Sequence, residues 1–302
     1  MKGAILVGEA WDRPRHPGYV PPQRGRHMAI AGADGFTIVQ SDWRDAPVHL
    51  DGETVFAIGD VHGCHGQLHA LLERFSMLVS DSARLIFLGD LICRGPSSLA
   101  ALALWAEPSL DARFAHVDRL SGNHEQLLML SIGDSVAAAA YAKWATIDGL
   151  TFVDELRRKT GQSDAPLTRD LLLKAAGQTV VDRLDHLQSH VWIGNTVFVH
   201  GGLDPSADPV AHLAAPFTQF GGNHWAWINE PFLKWRGGFN GLMVVHGHTP
   251  PAKHRQMSGY PDPHVFQHDR LSLDGGSAVT GIVAAAQIED GRYRLFTVHG
   301  PT

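Results

Sequence analysis

The chain reads VFAIGDVHG at residues 55–63 and LIFLGD at residues 85–90, two short apolar runs that each stop at Gly-Asp. Three later segments share this design: GNHE at 122–125, VFVHGG at 197–202 and VVHGHT at 244–249. Short β-branched runs are typical of buried strands, and a glycine at the end of the run lets the backbone turn sharply. Each strand then delivers a polar side chain to one edge of a sheet, where open α/β sheets bind their ligands. Together the five segments predict a metal centre at that edge.

The polar residues at these strand ends are all oxygen or imidazole donors. The candidate ligands, in chain order, are Asp60, His62, Asp90, Asn123, His200 and His248. Asp60 and His62 lie two residues apart, so in extended backbone their side chains point the same way. A carboxylate such as that of Asp90 can bridge two ions about 3.5–4 Å apart. Donors of this kind, without thiolates, suit two divalent ions, with Mn²⁺ the predicted metal and Fe or Zn²⁺ as alternatives.

Two further residues fit the chemistry of such an ion pair. Paired ions hold a hydroxide nucleophile near neutral pH and stabilise the entering and leaving oxygens of an in-line displacement, which indicates phosphoester hydrolysis. Arg94, four residues beyond Asp90, can clamp a phosphate group through two hydrogen bonds. His124, directly after Asn123, can protonate the leaving alcohol as a general acid.

The order of these motifs resembles the PPP-type metallophosphoesterases, especially the bacterial and phage serine/threonine protein phosphatases, over residues 54–298. The resemblance implies an α/β fold, a four-layer sandwich of two mixed β-sheets flanked by helices, with a dinuclear metal site at the strand ends. One metal would be held by Asp60, His62 and Asp90. The other would be held by Asp90, Asn123, His200 and His248. The resemblance also implies Asp90, Arg94 and His124 as catalytic residues, and Arg94, Asn123 and His124 as contacts of the substrate phosphate.

Two positions depart from the pattern of that family. Cys93 stands where the family usually has an Asp that hydrogen-bonds the catalytic histidine, here His124. A carboxylate orients an imidazole and raises its pKa, and a thiol does either poorly, so we expect a slower enzyme or one that prefers good leaving groups. Asn229 stands where bacterial relatives commonly have Arg, which predicts weaker phosphate binding unless Lys234 or Arg236 reaches the site.

The chain is predicted to consist of an N-terminal extension at residues 1–50 and a catalytic domain at 51–302. Pro, Gly and Arg crowd residues 11–26, a composition that favours partly disordered backbone. Residues 134–190 carry no ligand motif and are rich in helix formers, so we expect a helical insertion that covers the sheet and walls the active site.

Other predicted elements follow from apolar spacing and turn residues. Helices are predicted at 67–78, at 97–105 and from residue 125. Further strands are predicted at 36–40, 48–50, 191–193, 196–199, 242–245, 271–273, 282–288 and 293–298. Turns at 194–195 and 290–291 should join the neighbouring strands into hairpins.

Several polar and aromatic residues have more ordinary interpretations. The predicted surface histidines are His224, His254, His264 and His268. The tryptophans Trp225, Trp227 and Trp235 are expected in the core, with a substrate groove as the alternative. The predicted solvated helix face holds Asp154, Glu155, Asp182 and Asp185. Both cysteines, Cys64 and Cys93, are expected to be buried free thiols.

Composition limits the partners and the compartment. The net charge of −6 argues against a nucleic-acid surface. With two cysteines in 302 residues, a reducing cytoplasm is predicted. No apolar run reaches the length that a membrane helix needs.

Three functions remain open at this point. We expect hydrolysis of phosphorylated serine or threonine in proteins, or of a small phosphoester. The enzyme alternative is symmetrical hydrolysis of diadenosine tetraphosphate, which the same metal chemistry serves. The third is a phosphate-binding module that keeps its metals and turns over weakly, as Cys93 and Asn229 would favour.

Overall fold

A computed structural model of the chain describes residues 27–31, 35–79, 82–133 and 135–301. Its strands are β1 His27–Ala31, β2 Thr37–Ser41, β3 Arg44–Asp45, β4 Thr54–Ile58, β5 Ala83–Phe87, β6 His116–Arg119, β7 His190–Ile193, β8 Thr196–Val199, β9 Met243–His246, β10 Arg270–Ser272, β11 Ile282–Glu289 and β12 Arg292–His299. Its helices are α1 His65–Ser76, α2 Ser98–Trp105, α3 Pro108–Arg113, α4 Asn123–Ser131, α5 Ala137–Ala145, α6 Leu150–Thr160, α7 Arg169–Ala176, α8 Gln178–Leu184, α9 Pro209–Leu213, α10 Glu230–Lys234, α11 Pro251–Ser258 and α12 Ser277–Thr280.

The strands form two mixed sheets. The larger has the order β1-β2-β12-β11-β4-β5-β6, with β3 beside β12, and the smaller has the order β10-β9-β8-β7. Strands β4, β5 and β6 are parallel, as are β8, β9 and β10, whereas β11 runs antiparallel to β4. The parallel strands therefore end together at one edge of each sheet.

The side chains of the central strands alternate between two faces, one packed against the other sheet and one packed against a layer of helices. On β4, Val55 and Ala57 pack with residues of the smaller sheet, and Phe56 and Ile58 face the helices on the other side. Strand β8 does the same, with Phe198 between the sheets and other residues against the outer layer. A strand buried on both faces is apolar throughout, which explains the runs in the sequence. The four-layer α/β sandwich expected from the sequence is confirmed.

Most predicted elements are present. The hairpin of β11 and β12 turns at residues 290–291, and that of β7 and β8 turns at 194–195. Helix α1 buries Leu68, Leu71 and Phe75 along one face, as its apolar spacing predicts. The insertion is helical, with α5 to α8 packing on α2 and α4, which themselves cover the larger sheet.

Residues 48–50 were expected to form an edge strand, and that prediction is wrong. Val48 and Leu50 are buried, but their backbone groups bond to the turn between β11 and β12. The Leu50 amide donates to the Asp290 carboxylate at 2.5 Å, and the Gly291 amide donates to the Val48 carbonyl at 2.9 Å. Loop contacts therefore take the hydrogen bonds that a neighbouring strand would supply.

Of the residues before position 51, those that the structure describes contribute two strands and a short third one to the larger sheet. Strand β2 pairs with β12, and β1 pairs with β2 at the edge. The Pro- and Arg-rich residues 11–26 lie outside the described residues. The domain boundary at residue 51 stays a prediction.

The prediction of surface histidines is wrong for two of them. His224 is 2 % exposed and His254 is 5 % exposed. Their rings are satisfied inside the protein, since His224 Nε2 lies 3.2 Å from a backbone carbonyl oxygen and His254 Nδ1 lies 3.1 Å from Ser258 Oγ. His268 is exposed as expected, and His264 is half-buried.

Among the helices in the described ranges, none combines the length and the apolar character that a membrane span requires.

Candidate metal centre

The predicted ligands follow strand ends or begin a helix. Asp60 comes two residues after β4 and Asp90 three residues after β5. His200 follows β8 directly, and His248 lies two residues beyond β9. Asn123 is the first residue of α4. Because these strands are parallel to their neighbours, the five segments converge at one place between the two sheets.

The Asp90 carboxylate lies at the centre of the cluster. Its Oδ2 atom is 3.6 Å from His62 Nε2 and 3.5 Å from His200 Nε2. Asp90 belongs to two groups of three residues, and within each group the ligand atoms lie within 4.8 Å of one another. One group adds His62 and His124 to Asp90, and the other adds His200 and His248. One carboxylate is therefore shared by two groups of donors.

Asn123 and Asp60 complete the cluster. Asn123 Oδ1 is 3.2 Å from His200 Nε2 and 2.9 Å from His248 Nδ1. Asp60 Oδ2 is 3.9 Å from His62 Nε2, and Asp60 Oδ1 accepts a hydrogen bond from the His248 amide at 3.0 Å. The structure thus brings all six predicted ligands together.

Backbone carbonyls orient two of the imidazoles. His62 Nδ1 donates to the Ile92 carbonyl at 2.9 Å, and His200 Nδ1 donates to the Leu88 carbonyl at 2.9 Å. With Nδ1 as the donor, Nε2 is the ring nitrogen that remains for an ion in both residues, and it lies beside Asp90 Oδ2 in each. Metal-binding histidines are held in this way by their second nitrogen.

Four buried carboxylates concentrate negative charge around the site, those of Asp60, Asp90, Glu125 and Asp274. Burial and the neighbouring Asp274 raise the pKa of Asp60 well above its usual range. Burial raises the pKa of Asp274 to about 6 and that of Glu125 to about 7. Burial also favours the neutral form of Asp90, but His200 and His124 outweigh it and hold its pKa well below the usual range. Divalent cations fit this set, because they would neutralise charge that the protein alone leaves uncompensated.

Two glycines let the carboxylates approach the backbone. A Cβ atom at Gly122 would lie 2.1 Å from Asp90 Oδ1, and one at Gly247 would lie 2.2 Å from Asp60 Oδ1. Any side chain at either position would displace a candidate ligand. This requirement explains the glycines in the GNHE and HGHT segments.

Glu125 was not among the predicted site residues, although it ends the GNHE segment. Its carboxylate accepts hydrogen bonds from the backbone amides of Asp90 at 2.7 Å and Leu91 at 2.8 Å. It also accepts one from the Gly122 amide at 3.1 Å. Glu125 therefore ties the loop after β5 to the start of α4.

His124 has a partner that the sequence did not reveal. The Trp144 indole N–H, from the insertion, lies 3.3 Å from His124 Nδ1 and donates to it. That contact makes Nδ1 an acceptor and leaves the proton on Nε2, which is buried and has no partner among the described residues. Burial lowers the pKa of His124 well below its usual range. Cys93, also buried, is a free thiol, as is Cys64.

Arg94 lies beside the cluster, held by the insertion. Its Nη1 atom is 2.6 Å from His62 Nε2, and its Nε donates to Asp148 Oδ2 at 3.4 Å. Its backbone amide donates to Thr151 Oγ1 at 3.2 Å. Arg94 has a φ of 69°, a left-handed conformation that it shares with His62 and with the three residues Asp90, Cys93 and His248. Strained backbone of this kind concentrates at functional sites.

The insertion also fixes the loop that follows Arg94. Glu155 was expected on a solvated face, and that prediction is wrong. Its carboxylate accepts hydrogen bonds from Ser97 Oγ at 2.9 Å, from the Ser98 amide at 2.9 Å and from the Leu99 amide at 3.0 Å. It caps the first turn of α2, where backbone amides lack helical partners.

A cavity of about 530 Å³ opens onto the cluster. The insertion supplies Lys143, Ile147 and Asp148 to its lining, so the prediction that it walls the site is confirmed. Trp227 also lines the cavity, as the alternative of a substrate groove predicted. Trp225 is instead buried in the core, as the main prediction had it.

Asn229 lines this cavity, whereas Lys234 and Arg236, the two cations that could have replaced the missing charge, do not. Lys234 pairs with Glu230 on the protein surface. Arg236 donates to the Tyr260 hydroxyl at 3.0 Å, outside the cavity. Neither Lys234 nor Arg236 reaches the cavity, so weaker phosphate binding stays the prediction for Asn229.

Comparisons with known proteins identify relatives of this chain. A sequence profile of the calcineurin-like phosphoesterases matches residues 53–281. Serine/threonine-protein phosphatase 1 of Salmonella typhimurium is 32 % identical over 247 residues, which cover 78 % of this chain and 92 % of that protein. A symmetrical bis(5'-nucleosyl)-tetraphosphatase of Janthinobacterium sp. is 31 % identical over 153 residues, 50 % of this chain and 44 % of that protein. The crystal structure of a cold-active protein-tyrosine phosphatase from a Shewanella species aligns with a TM-score of 0.45 and 16 % identity, covering 88 % of this chain and 97 % of that one.

Proposed function

The chain belongs to the calcineurin-like phosphoesterase family, and from this premise we propose that it is a metal-dependent phosphomonoesterase. The observation that carries the proposal is the shared Asp90 carboxylate, with His62 on one side at 3.6 Å and His200 on the other at 3.5 Å. A bridging carboxylate of this kind is what a dinuclear site requires.

The six clustered residues would hold two divalent ions. Asp60, His62 and Asp90 are proposed for one ion. Asp90, Asn123, His200 and His248 are proposed for the other. When bound, the ion pair supplies a hydroxide nucleophile near neutral pH and stabilises the charge that develops on the phosphoryl oxygens. We propose Mn²⁺, with Fe or Zn²⁺ as alternatives, because the donors are carboxylate, amide and imidazole groups.

Arg94 is proposed to bind the substrate phosphate together with Asn123. The guanidinium lines the cavity, and its Nε is already directed by Asp148. Its Nη1 lies 2.6 Å from His62 Nε2, and that contact would be given up once the His62 nitrogen holds an ion. The guanidinium could then bind a phosphate group through two parallel hydrogen bonds.

His124 is proposed to donate a proton to the leaving alcohol. The contact with Trp144 at Nδ1 places the proton on Nε2, the nitrogen without a protein partner. A histidine acts as a general acid in its imidazolium form, with a proton on each nitrogen, and becomes neutral once it has donated; the burial of His124 opposes that charged form by lowering its pKa. A donor at Nδ1 does not stabilise the charged ring as a carboxylate would, which supports the expectation of weaker catalysis on poor leaving groups.

The proposed substrates are phosphorylated serine and threonine in proteins. The serine/threonine phosphatase relative supports this, since the alignment spans 92 % of its length. The symmetrical tetraphosphatase relative favours a second candidate, hydrolysis of a dinucleoside tetraphosphate. A cytoplasmic location is also proposed, because both cysteines are free.

Hydrolysis of p-nitrophenyl phosphate by chelator-stripped protein, with and without Mn²⁺, tests the proposal. The wild type is compared with Asp90→Asn and with Asp170→Asn, a matched change at an exposed residue that pairs with Lys174. We expect Mn²⁺-dependent turnover that Asp90→Asn abolishes and Asp170→Asn retains. Metal binding without turnover would instead support the third alternative, a phosphate-binding module. A panel of phosphopeptides and dinucleoside tetraphosphates then separates the two substrates.

A further inference from the structure

We propose that Lys143 and Lys253 form a second anion-binding subsite in the active-site cavity. This subsite would bind a negatively charged group next to the scissile phosphoryl group. The inference rests on the proposed function and extends it to the class of substrate, a phosphoester that carries a neighbouring anion.

The two lysines come from different parts of the chain and line the same cavity. Lys143 lies on α5 of the insertion, and Lys253 lies on α11, which follows the HGHT segment. Both line the cavity that Arg94 and Asn123 also line. Both are exposed, so their ammonium groups are accessible to a ligand.

Neither lysine is neutralised by a carboxylate. Among the described residues, no acidic oxygen lies within 4 Å of either ammonium group. The other cation of the cavity, Arg94, is paired with Asp148. A substrate anion can therefore bind either lysine without breaking an ion pair within the protein.

Trp227 holds Lys143 over the cavity. Lys143 Nζ lies 5.4 Å from the centroid of the Trp227 ring, within the range of a cation–π contact. Trp227 is itself fixed, since its indole N–H donates to Gln126 Oε1 at 2.6 Å and its carbonyl lies 3.1 Å from His248 Nε2. The ammonium group is therefore positioned relative to a candidate metal ligand.

A third residue of the same lining, Asn229, is neutral. The side chain of Asn229 accepts a hydrogen bond from the Glu230 amide at 2.6 Å and carries no charge. Lys143 and Lys253 add positive charge to the same lining, from α5 and α11. Charge placed there, beside the cluster, suits an anion next to the phosphoryl group under attack.

The chemistry required of the ligand is a second anion, and it has two possible sources. One is the carboxylate of an acidic residue beside a phosphoserine, and the other is a further phosphate group in the same molecule. Lysine is a point charge without a preferred geometry, so it accepts either. The experiment therefore includes both.

The double variant Lys143→Gln/Lys253→Gln is compared with the wild type by kcat/KM on three substrates. These are a phosphoserine peptide flanked by Glu, the same peptide flanked by Ala, and a dinucleoside tetraphosphate. We expect the Glu-to-Ala ratio, or the ratio of tetraphosphate to Ala peptide, to fall about tenfold, since each exposed charge contact contributes about two- to fivefold. Lys143→Arg/Lys253→Arg should restore the ratio, which a merely structural role would not predict.

The control is Lys174→Gln, the same charge change on α7 outside the cavity, which should leave both ratios unchanged. A fall in the Glu ratio assigns the subsite to carboxylates, and a fall in the tetraphosphate ratio assigns it to phosphates. If the wild type hydrolyses these substrates and both ratios survive in the double variant, the subsite is refuted and the proposed function stands. If the Mn²⁺-loaded wild type hydrolyses none of them, nor p-nitrophenyl phosphate, both proposals fall together.

Discussion

Replacing Gly122 by alanine is expected to disable the metal centre while the chain stays folded. Gly122 has a φ of −78° and a ψ of 175°, which alanine adopts without strain. The new methyl group would nevertheless lie 2.1 Å from Asp90 Oδ1, 2.3 Å from the Asp90 amide nitrogen and 2.8 Å from Glu125 Oε2. The perturbation is therefore steric, and it acts on the carboxylate proposed to bridge the ions.

The size of the effect follows from these distances. Ordinary contacts of a Cβ atom begin at 3.4 Å, so Asp90 Oδ1 has to withdraw by about 1.3 Å. Misplacement of a reacting group by about 1 Å costs about 100-fold in rate. Overpacking of a buried site costs about 1–3 kcal/mol of stability, less than the total stability of a typical domain, so the fold should survive.

Gly133→Ala is the matched control. Gly133 also lies beside α4, but its nearest atoms are the carbonyl oxygens of Met129 at 3.4 Å and Leu130 at 3.5 Å, which are ordinary contacts. The same methyl group should be tolerated there, with a change in the free energy of unfolding within about 1 kcal/mol.

The assay combines Mn²⁺ titration calorimetry, circular dichroism and p-nitrophenyl phosphate turnover. Gly122→Ala should keep its circular dichroism spectrum, bind Mn²⁺ more weakly and lose about 100-fold in kcat/KM, and Gly133→Ala should match the wild type. Wild-type Mn²⁺ affinity and turnover in Gly122→Ala would refute the reasoning, because Asp90 could then move by more than 1 Å without consequence.

Three further changes test other parts of the structure. Cys93→Asp should raise kcat/KM on an alkyl phosphate about tenfold more than on p-nitrophenyl phosphate. A carboxylate near His124 stabilises the protonated ring, and poor leaving groups depend on that proton donor. An unchanged ratio of the two rates would contradict this. Asp148→Asn removes the negative charge from the 3.4 Å ion pair with Arg94 Nε. It should raise KM about two- to fivefold with little change in kcat, as measured by steady-state kinetics, and a loss in kcat alone would assign Asp148 another role. Burial lowers the pKa of His224 to about 4, below its unfolded value of 6.5, so its contribution to stability is complete above pH 6.5 and is lost as the pH falls towards 4. Urea unfolding at pH 7.5 and pH 5 should show that the wild type loses about 2 kcal/mol more than His224→Gln, and equal losses would mean that the buried ring is not the cause.

The ligand set could be predicted from the sequence because its geometry is local. An apolar run that stops at a glycine defines a strand end, and the next polar residue is carried to the edge of the sheet whatever the rest of the chain does. Asp60, Asp90 and His200 were placed in this way, and the structure brings them together. The central strands were equally predictable, since burial on both faces leaves a continuous apolar run.

Some local patterns misled, because the contacts that decide them come from distant segments. Residues 48–50 have the composition of a strand, but the Leu50 amide donates its hydrogen bond to the Asp290 carboxylate and not to a neighbouring strand. Glu155 has the spacing of a solvated residue, but it caps a helix that begins more than fifty positions earlier. His224 lies in a glycine-rich stretch, and only packing shows that it is buried.

The sequence by itself thus determined the family, the sheet edges and the metal donors, each through a short motif that acts on its own backbone. Only the tertiary structure decided how those donors are supplemented. It placed the Trp144 indole against His124 and set Lys143 over Trp227 in the cavity. Both contacts come from the insertion. Its helical periodicity predicts that it packs against the rest of the domain, but it does not predict which of its side chains face the site. Contacts between segments far apart in the chain depend on the packing of whole elements, and no local pattern encodes them.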